Sequence, residues 1–257
     1  FYVIYSQFLK ENGYKGLPRV SFEKRKLKYE DVYPVLYLKY RLQSQQGRSN
    51  IKHLVVDEMQ DYSRLQYEII QRIFSCRMTI LGDRAQTMDD KQQDVLTFLP
   101  KIFGRDIHKI IMNKSYRNTV EIATYANRLA GIEDMELFER HGAPVEEKVF
   151  ADVKAAVKEI QDMLKLGEEE YETAAVILRT EKEAEQVWLL LKEELEKTDF
   201  DVKNRLSWLD RNSTSFRKGL TVTTFYLAKG LEFDQVFAVF PEKDQTPLAE
   251  QARYIAA

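Results

Sequence analysis

The sequence predicts an α/β protein built on parallel sheets with helices on both faces. Three observations carry this. Short apolar runs stop at polar or glycine-containing corners, Leu54-Val55-Val56 before Asp57-Glu58 and Thr79-Ile80-Leu81 before Gly82-Asp83, as buried parallel strands do. Segments with helical spacing separate those runs, which gives a strand-helix-strand succession. Gly 10 and Pro 6 in 257 residues are too few turn formers for a many-stranded sandwich or barrel.

Along the chain, the first fifty residues read as helical. Tyr33, Val35, Leu36, Leu38, Tyr40 and Leu42 recur among Lys and Arg, and the polar stretch 43–50 closes the segment. A first strand follows over 51–56. A helix comes next, because Leu65, Ile69, Ile70, Ile73 and Phe74 keep the helical period behind Ser63, a good N-cap. The second strand is 78–81. A helix over about 90–102 and a third strand over 108–112 continue the alternation. Parallel sheets of this kind bind ligands at the C-terminal ends of their strands, where Asp57, Glu58 and Asp83 fall. From 113 the pattern restarts: a helix over 120–129, an irregular stretch to Pro144, and a helix over 153–165. A strand at 174–178, a charged helix at 181–195 and late strands at 220–224 and 236–240 complete it. The predicted organisation is two domains, 1–112 and 113–257.

Composition narrows the function classes. Lys+Arg 39 against Asp+Glu 41 gives a net charge of −2, which excludes a globally basic nucleic-acid coat but allows a local basic groove. A hydrophobic share of 44% supports real cores and excludes disorder. The lone Cys76 excludes a disulfide scaffold and a cysteine zinc site, and three scattered His residues offer no metal cluster. No run approaches the length of a membrane helix, so no membrane partner is expected and the expected compartment is the cytoplasm. The text opens at Phe1 inside a helix-like segment and stops at Ala257 without a polar tail, so a longer parent protein is expected.

Four segments carry chemistry. Asp57-Glu58 delivers two adjacent carboxylates at a strand end; in a nucleotide hydrolase the first can hold Mg²⁺ and the second can orient or deprotonate the attacking water. Gln86 ends the Gly82-Asp83-Arg84-Ala85-Gln86 corner, and its amide can donate to a phosphate oxygen and accept from water. Arg117, in Ser115-Tyr116-Arg117, is the type of side chain that stabilises charge on a transferred phosphoryl group. The β-branched run 221–224 leads through Phe225-Tyr226-Leu227-Ala228 into Lys229-Gly230-Leu231-Glu232-Phe233-Asp234, where Lys229 could meet a phosphate or stand in solvent. Taken singly, each segment also reads as an ordinary turn or a solvated helix start.

Taken together and in order, they resemble the superfamily 1 helicases of the UvrD/Rep/PcrA type. Asp57-Glu58-Met59-Gln60-Asp61 is similar to motif II, Gly82 to Gln86 to motif III, Ser115-Tyr116-Arg117 to motif IV, and Ala228 to Asp234 to motif V. Ala252-Arg253-Tyr254-Ile255-Ala256-Ala257 looks like the opening of motif VI. The resemblance runs from about Ile51 to the end. It implies RecA-like lobes of the P-loop NTPase type, a partial first lobe plus a second lobe, using ATP and Mg²⁺. By the same resemblance Asp57 is the Mg²⁺ ligand and Glu58 the catalytic carboxylate. Gln86 and Arg117 sense the γ-phosphate, Arg117 with a catalytic share, and Gly230 and Glu232 approach the nucleotide. Thr224 and Tyr226 are implied along the nucleic acid, with DNA as partner. Two departures stand out: no Gly-x-x-x-x-Gly-Lys-Ser/Thr phosphate loop occurs in the 257 residues, and the motif VI arginine is absent. The chain alone is therefore expected not to hydrolyse ATP.

Three positions differ from the DNA-unwinding members. Thr87-Met88-Asp89-Asp90 follows Gln86 where those proteins carry a base-stacking aromatic, Tyr226 replaces their His, and Tyr62-Ser63 follows Asp61 where they show Thr. Asp61-Tyr62-Ser63 after motif II and Tyr226-Leu227-Ala228-Lys229-Gly230 in motif V look like the HelD-type branch, helicase-like ATPases that associate with bacterial RNA polymerase, which implies RNA polymerase as a partner. The alternatives are an ordinary UvrD/Rep-like repair helicase and a docking module without catalysis. The Asp57, Glu58, Gln86 and Arg117 set argues against the last, because a scaffold has no chemical need for all four.

Overall fold

The computed structural model describes residues 2–14, 27–43, 50–86, 95–104, 107–166, 171–213, 217–241 and 247–257. Its contacts divide the chain into two compact units, Phe1–Ile110 and Ile111–Ala257.

The first unit begins with helices α1 (Tyr2–Glu11) and α2 (Tyr29–Leu42). Glu30 and Asp31 in the first turn of α2 and Lys39 and Arg41 in its last complement the helix dipole. Strand β1 (His53–Val56), a 3-10 turn over Met59–Asp61, helix α3 (Arg64–Ile73) and strand β2 (Arg77–Ile80) then form one βαβ unit. β1 and β2 pair in parallel, His53 opposite Arg77 through Val56 opposite Ile80. A second 3-10 turn over Arg84–Gln86 and helix α4 (Val95–Phe103) follow. Helix α3 starts where the sequence placed its cap: Ser63 accepts from the Gln66 N–H, and the Gln66 side chain accepts from the Ser63 N–H, closing a capping box. The core gathers Val56, Met59, Tyr67, Val95, Phe98 and Leu99, with Leu54, Ile70 and Ile80 against it. Tyr67 is fully buried at its centre, among the rings of Tyr62, Phe98 and Phe103 at 5.7–6.2 Å. Burial pushes its phenol well above the ordinary value, and its hydroxyl donates to the Met59 carbonyl at 3.0 Å. That bond ties α3 to the corner after β1.

Two expectations need correction or limits here. The strand predicted over 108–112 does not form; the segment is irregular, with Ile110, Ile111 and Met112 exposed at 76%, 73% and 81%. A strand needs a ladder partner for its backbone groups, and among the described residues none lies beside this run. The helix predicted from about residue 90 is present from Val95, and its first predicted residues lie outside those described.

In the second unit a two-residue parallel bridge joins β3 (Lys114–Ser115) to β4 (Glu136–Leu137), and helix α5 (Val120–Ala130) lies between them in sequence. Helix α6 (Val153–Met163), strand β5 (Thr173–Leu178), helix α7 (Glu181–Leu195), helix α8 (Val202–Arg205) and strand β6 (Leu206–Trp208) follow. Strand β7 (Gly219–Thr224), helix α9 (Phe225–Ala228), strand β8 (Gln235–Ala238) and helix α10 (Pro247–Ala256) complete the chain. The sheet has the order β6-β7-β5-β8 and every pair in it is parallel. Alternation along β5 explains the layering. Ala174, Val176 and Leu178 face a core with Val157, Ile160, Val187 and Leu191 of α6 and α7. Ala175 and Ile177 face the other core, with Phe225, Ala228, Ala252 and Ala256 of α9 and α10. Helices on both faces, as the sequence predicted, thus hold for this sheet. The sequence reading missed β6, α8, α9, α10 and the β3–β4 bridge. Four of the five are four residues or shorter, too brief to show a period, and the text of α10 reads only as a motif.

Candidate active site

In the first unit the chemistry sits just past the C-terminal ends of β1 and β2. The backbone pairing continues beyond the strands: the Leu81 N–H donates to the Val56 carbonyl and the Met59 N–H to the Leu81 carbonyl, each at 2.8 Å. Asp57 is exposed at the end of β1, and its Oδ1 accepts from the Glu58 N–H at 2.8 Å. Glu58 then turns into the left-handed region, φ 52° and ψ 50°, the one non-glycine residue with positive φ among the described residues. That conformation costs roughly 1–2 kcal/mol for an L-residue, and strain of this kind collects at functional corners.

The Glu58 side chain is held. Its Oε2 accepts from the Gln60 Nε2 at 2.6 Å, and the Gln60 Oε1 accepts from the Asp83 N–H at 3.1 Å. Asp83 continues the chain of bonds, with Oδ1 accepting from the Ala85 N–H at 2.9 Å and Oδ2 from the Gln86 Nε2 at 3.2 Å. Glu58 and Gln86, predicted from separate motifs, therefore belong to one hydrogen-bonded group running through Gln60 and Asp83. Gly82 is what lets the two corners approach. A Cβ there would collide with the Gln60 side chain and stand 2.5 Å from the Met59 Cγ and 2.7 Å from the Met59 nitrogen. Only glycine fits.

The donor set suits Mg²⁺. Among the described residues no group of three His, Cys, Asp or Glu side chains could cage a metal. Mg²⁺ does not need such a cage, since it keeps several waters and takes one or two carboxylates together with substrate phosphates. Asp57 offers a hard, exposed carboxylate whose orientation the Glu58 N–H fixes.

In the second unit Arg117 follows β3 and pairs with Glu232, Nε to Oε1 at 2.8 Å, with both side chains about two-thirds exposed. An exposed pair of this kind contributes at most about 1 kcal/mol, so it orients the guanidinium without locking it. Glu232 meets Arg117 at the Nε. Gly230 sits at φ 80° between Lys229 and Glu232 and lets the chain turn from α9 toward β8. Thr224 lies buried at the end of β7, its hydroxyl without a hydrogen-bond partner among the described residues. Tyr226 is half-buried and packs edge-on against Phe225, ring centroids 4.7 Å apart. Residues Thr87 to Asp90, which the sequence read for partner choice, lie outside the described residues.

Sequence reasoning assigned no role to Asp234, although it stands in the same motif as Glu232. Its Oδ2 accepts from the Glu172 N–H (3.0 Å), the Thr173 N–H (2.8 Å) and the Thr173 hydroxyl (2.8 Å). Burial would raise its carboxyl, but the bonds from Thr173 and Glu172 outweigh it and hold the group below its ordinary value. Asp234 clamps the start of β8 to the start of β5. Gln60 was likewise quoted only as part of a motif, and the available signal was a polar amide between apolar neighbours directly after a carboxylate pair.

A family model described as the UvrD/REP helicase N-terminal domain matches residues 1–88. No curated protein matches the chain. The match takes in the first fifty residues, where the motifs carried no resemblance, and it includes the Asp57-Glu58 and Gly82 to Gln86 corners. Over this stretch the chain is similar to the N-terminal domain of UvrD/REP helicases, and the similarity supports a superfamily 1 helicase-like ATPase.

Proposed function

We propose that this protein works as part of an ATP-driven superfamily 1 motor, with the first unit supplying the hydrolytic corner and the second a phosphate-sensing arginine. The observation that carries the reading is the group of bonds joining Glu58 to Gln86 through Gln60 and Asp83. A carboxylate fixed beside an amide is the arrangement that orients an attacking water against a phosphoryl group. Asp57 would hold Mg²⁺, whose charge would neutralise phosphate oxygens. Glu58 would take the proton of the water, and Gln86 would report on the γ-phosphate. In the second unit the terminal nitrogens of Arg117 would meet charge that develops on the transferred group, with Gly230 and Glu232 close to the nucleotide. The chain carries no phosphate loop, so strong phosphate binding must come from elsewhere in the working protein.

The test is ATP turnover by the natural protein that carries this chain. Glu58→Gln should retain nucleotide and lose on the order of 10²–10⁴ in turnover, as removal of a positioned general base does. Near-normal turnover would overturn the assignment.

DNA is the partner that the helicase similarity favours, and RNA polymerase is the partner of the finer, HelD-type reading. Support for the finer reading rests on Tyr226-Leu227-Ala228-Lys229-Gly230, and the acidic pair Asp89-Asp90 speaks against a single-strand path beside it. Tyr62 and Ser63 add little to it. Tyr62 packs on Tyr67 and Ser63 caps α3, and a threonine would cap equally well. Recovery of RNA polymerase with the natural protein, together with weak single-strand DNA binding, is the expected outcome of the HelD-type reading. Tight DNA binding without polymerase would return the protein to the repair-helicase branch.

A further inference from the structure

Gln60 is buried, and both ends of its amide are committed. A backbone N–H can only donate, so the atom facing the Asp83 nitrogen is the oxygen, and Nε2 must face the Glu58 carboxylate. The amide therefore has one workable orientation. It spans 23 residues of sequence to join the corner after β1 to the corner after β2. Gly82 leaves it the room to do so, since a side chain there would displace the Gln60 oxygen. Glu58 also lies in a strained backbone conformation that must be stabilised from outside.

We propose that Gln60 is the positioning residue of this corner: its single amide fixes the Glu58 carboxylate to the Asp83 loop that carries Gln86. The inference rests on the reading of Glu58 as the hydrolytic carboxylate for its functional meaning, though not for its geometry. Gln60 touches no reacting atom. It sets where Glu58 points and ties that direction to the loop of Gln86. A change at one corner is thereby felt at the other.

A charge-swap cycle tests the clamp on the 257-residue chain. Gln60→Glu keeps the volume and still accepts from the Asp83 N–H, but it sets two carboxylates against one another. The double variant E58Q/Q60E restores an amide-carboxylate pair with the roles exchanged. The readouts are hydrogen exchange at the Asp83 amide and the midpoint of thermal unfolding. Gln60→Glu loses the bond to the Glu58 carboxylate and puts repulsion in its place, which should push the new side chain off the Asp83 N–H. The midpoint should fall and Asp83 exchange should speed by about tenfold or more, the loss expected for a bond to a charged group. The double variant should return to within roughly threefold of the parent, as compensation within a directly coupled pair requires. If Gln60 only fills space, Gln60→Glu will resemble the parent, or the double variant will be no better than the single one. Either result overturns the proposal. If Gln60→Glu does not fold, recovery of the fold in the double variant supports the clamp, and failure of both overturns it. Neither readout involves nucleotide, so a clamp that passes while turnover is insensitive to Glu58→Gln would refute the hydrolytic reading alone.

Discussion

At the scale of single residues, the candidate site is a set of short contacts around one strained position. Glu58 occupies the left-handed region that glycine enters freely. Glycine usually destabilises relative to alanine by roughly 0.5–1 kcal/mol; here the order should invert. Glu58→Gly should be more stable than Glu58→Ala by about 1 kcal/mol, because both lose the Gln60 bond but only alanine keeps the strain. Equilibrium denaturant unfolding of the two variants measures this, and an alanine variant as stable as the glycine variant would deny the strain. The carboxylate pair itself was legible in the sequence, since an apolar run ending in Asp57-Glu58 announces a strand end with charge on it. The backbone twist at Glu58 and the bond from Gln60 were not. Both depend on the corner after β2, more than twenty residues downstream, and no local pattern encodes that approach except the glycine at 82.

Elements were read best where their ends carry a chemical signature. Ser63 with Gln66, and Thr180 with Glu183, close capping boxes at the starts of α3 and α7, and those helices begin where the sequence placed them. The run 108–112 has a strand's composition and, among the described residues, no ladder partner, so composition misled. Another element-scale contact makes a pH prediction. Glu121, on α5, accepts from the Gly142 N–H at 2.9 Å and meets the His141 ring at 2.9 Å. The His141 bond first, and the Gly142 N–H second, hold its carboxyl down to about 2, against an ordinary value of 4.5. The folded chain thus binds this proton more weakly than the unfolded chain does. The contribution is complete above about 4.5 and is lost as pH falls toward about 2. Trp188 and Trp208, the chain's two tryptophans, stand 5.5 Å apart in the same unit and report its unfolding by fluorescence. Glu121→Gln should flatten the decline in midpoint across that window. An unchanged decline would mean that other carboxylates carry it.

The whole molecule sets two sheets of different completeness in one chain. In the second unit β5 and β7 are covered on both faces, and from Ala174 to Leu178 and from Leu220 to Thr224 every residue is at most 2% exposed. In the first unit the β1–β2 pair is covered on the side of α3 and α4, while Val55 and Leu81 remain 59% and 46% exposed. Parallel sheets ordinarily bury both faces, so the first sheet forgoes stabilisation that the second has. Full burial of one such aliphatic side chain contributes about 1.5–3 kcal/mol, and two half-exposed ones together forgo about the same, roughly 1.5–3 kcal/mol. Through local opening that difference becomes roughly 10–10²-fold in amide exchange. Native-state hydrogen exchange on the 257-residue chain should therefore find the β5 and β7 amides slowest, and those of β1 and β2 exchanging about 10–10²-fold faster. The corners that carry Glu58 and Gln86 thus stand on the less stable sheet, while Arg117 and Glu232 belong to the unit with the more stable one. Equal protection in the two sheets would refute the stability difference.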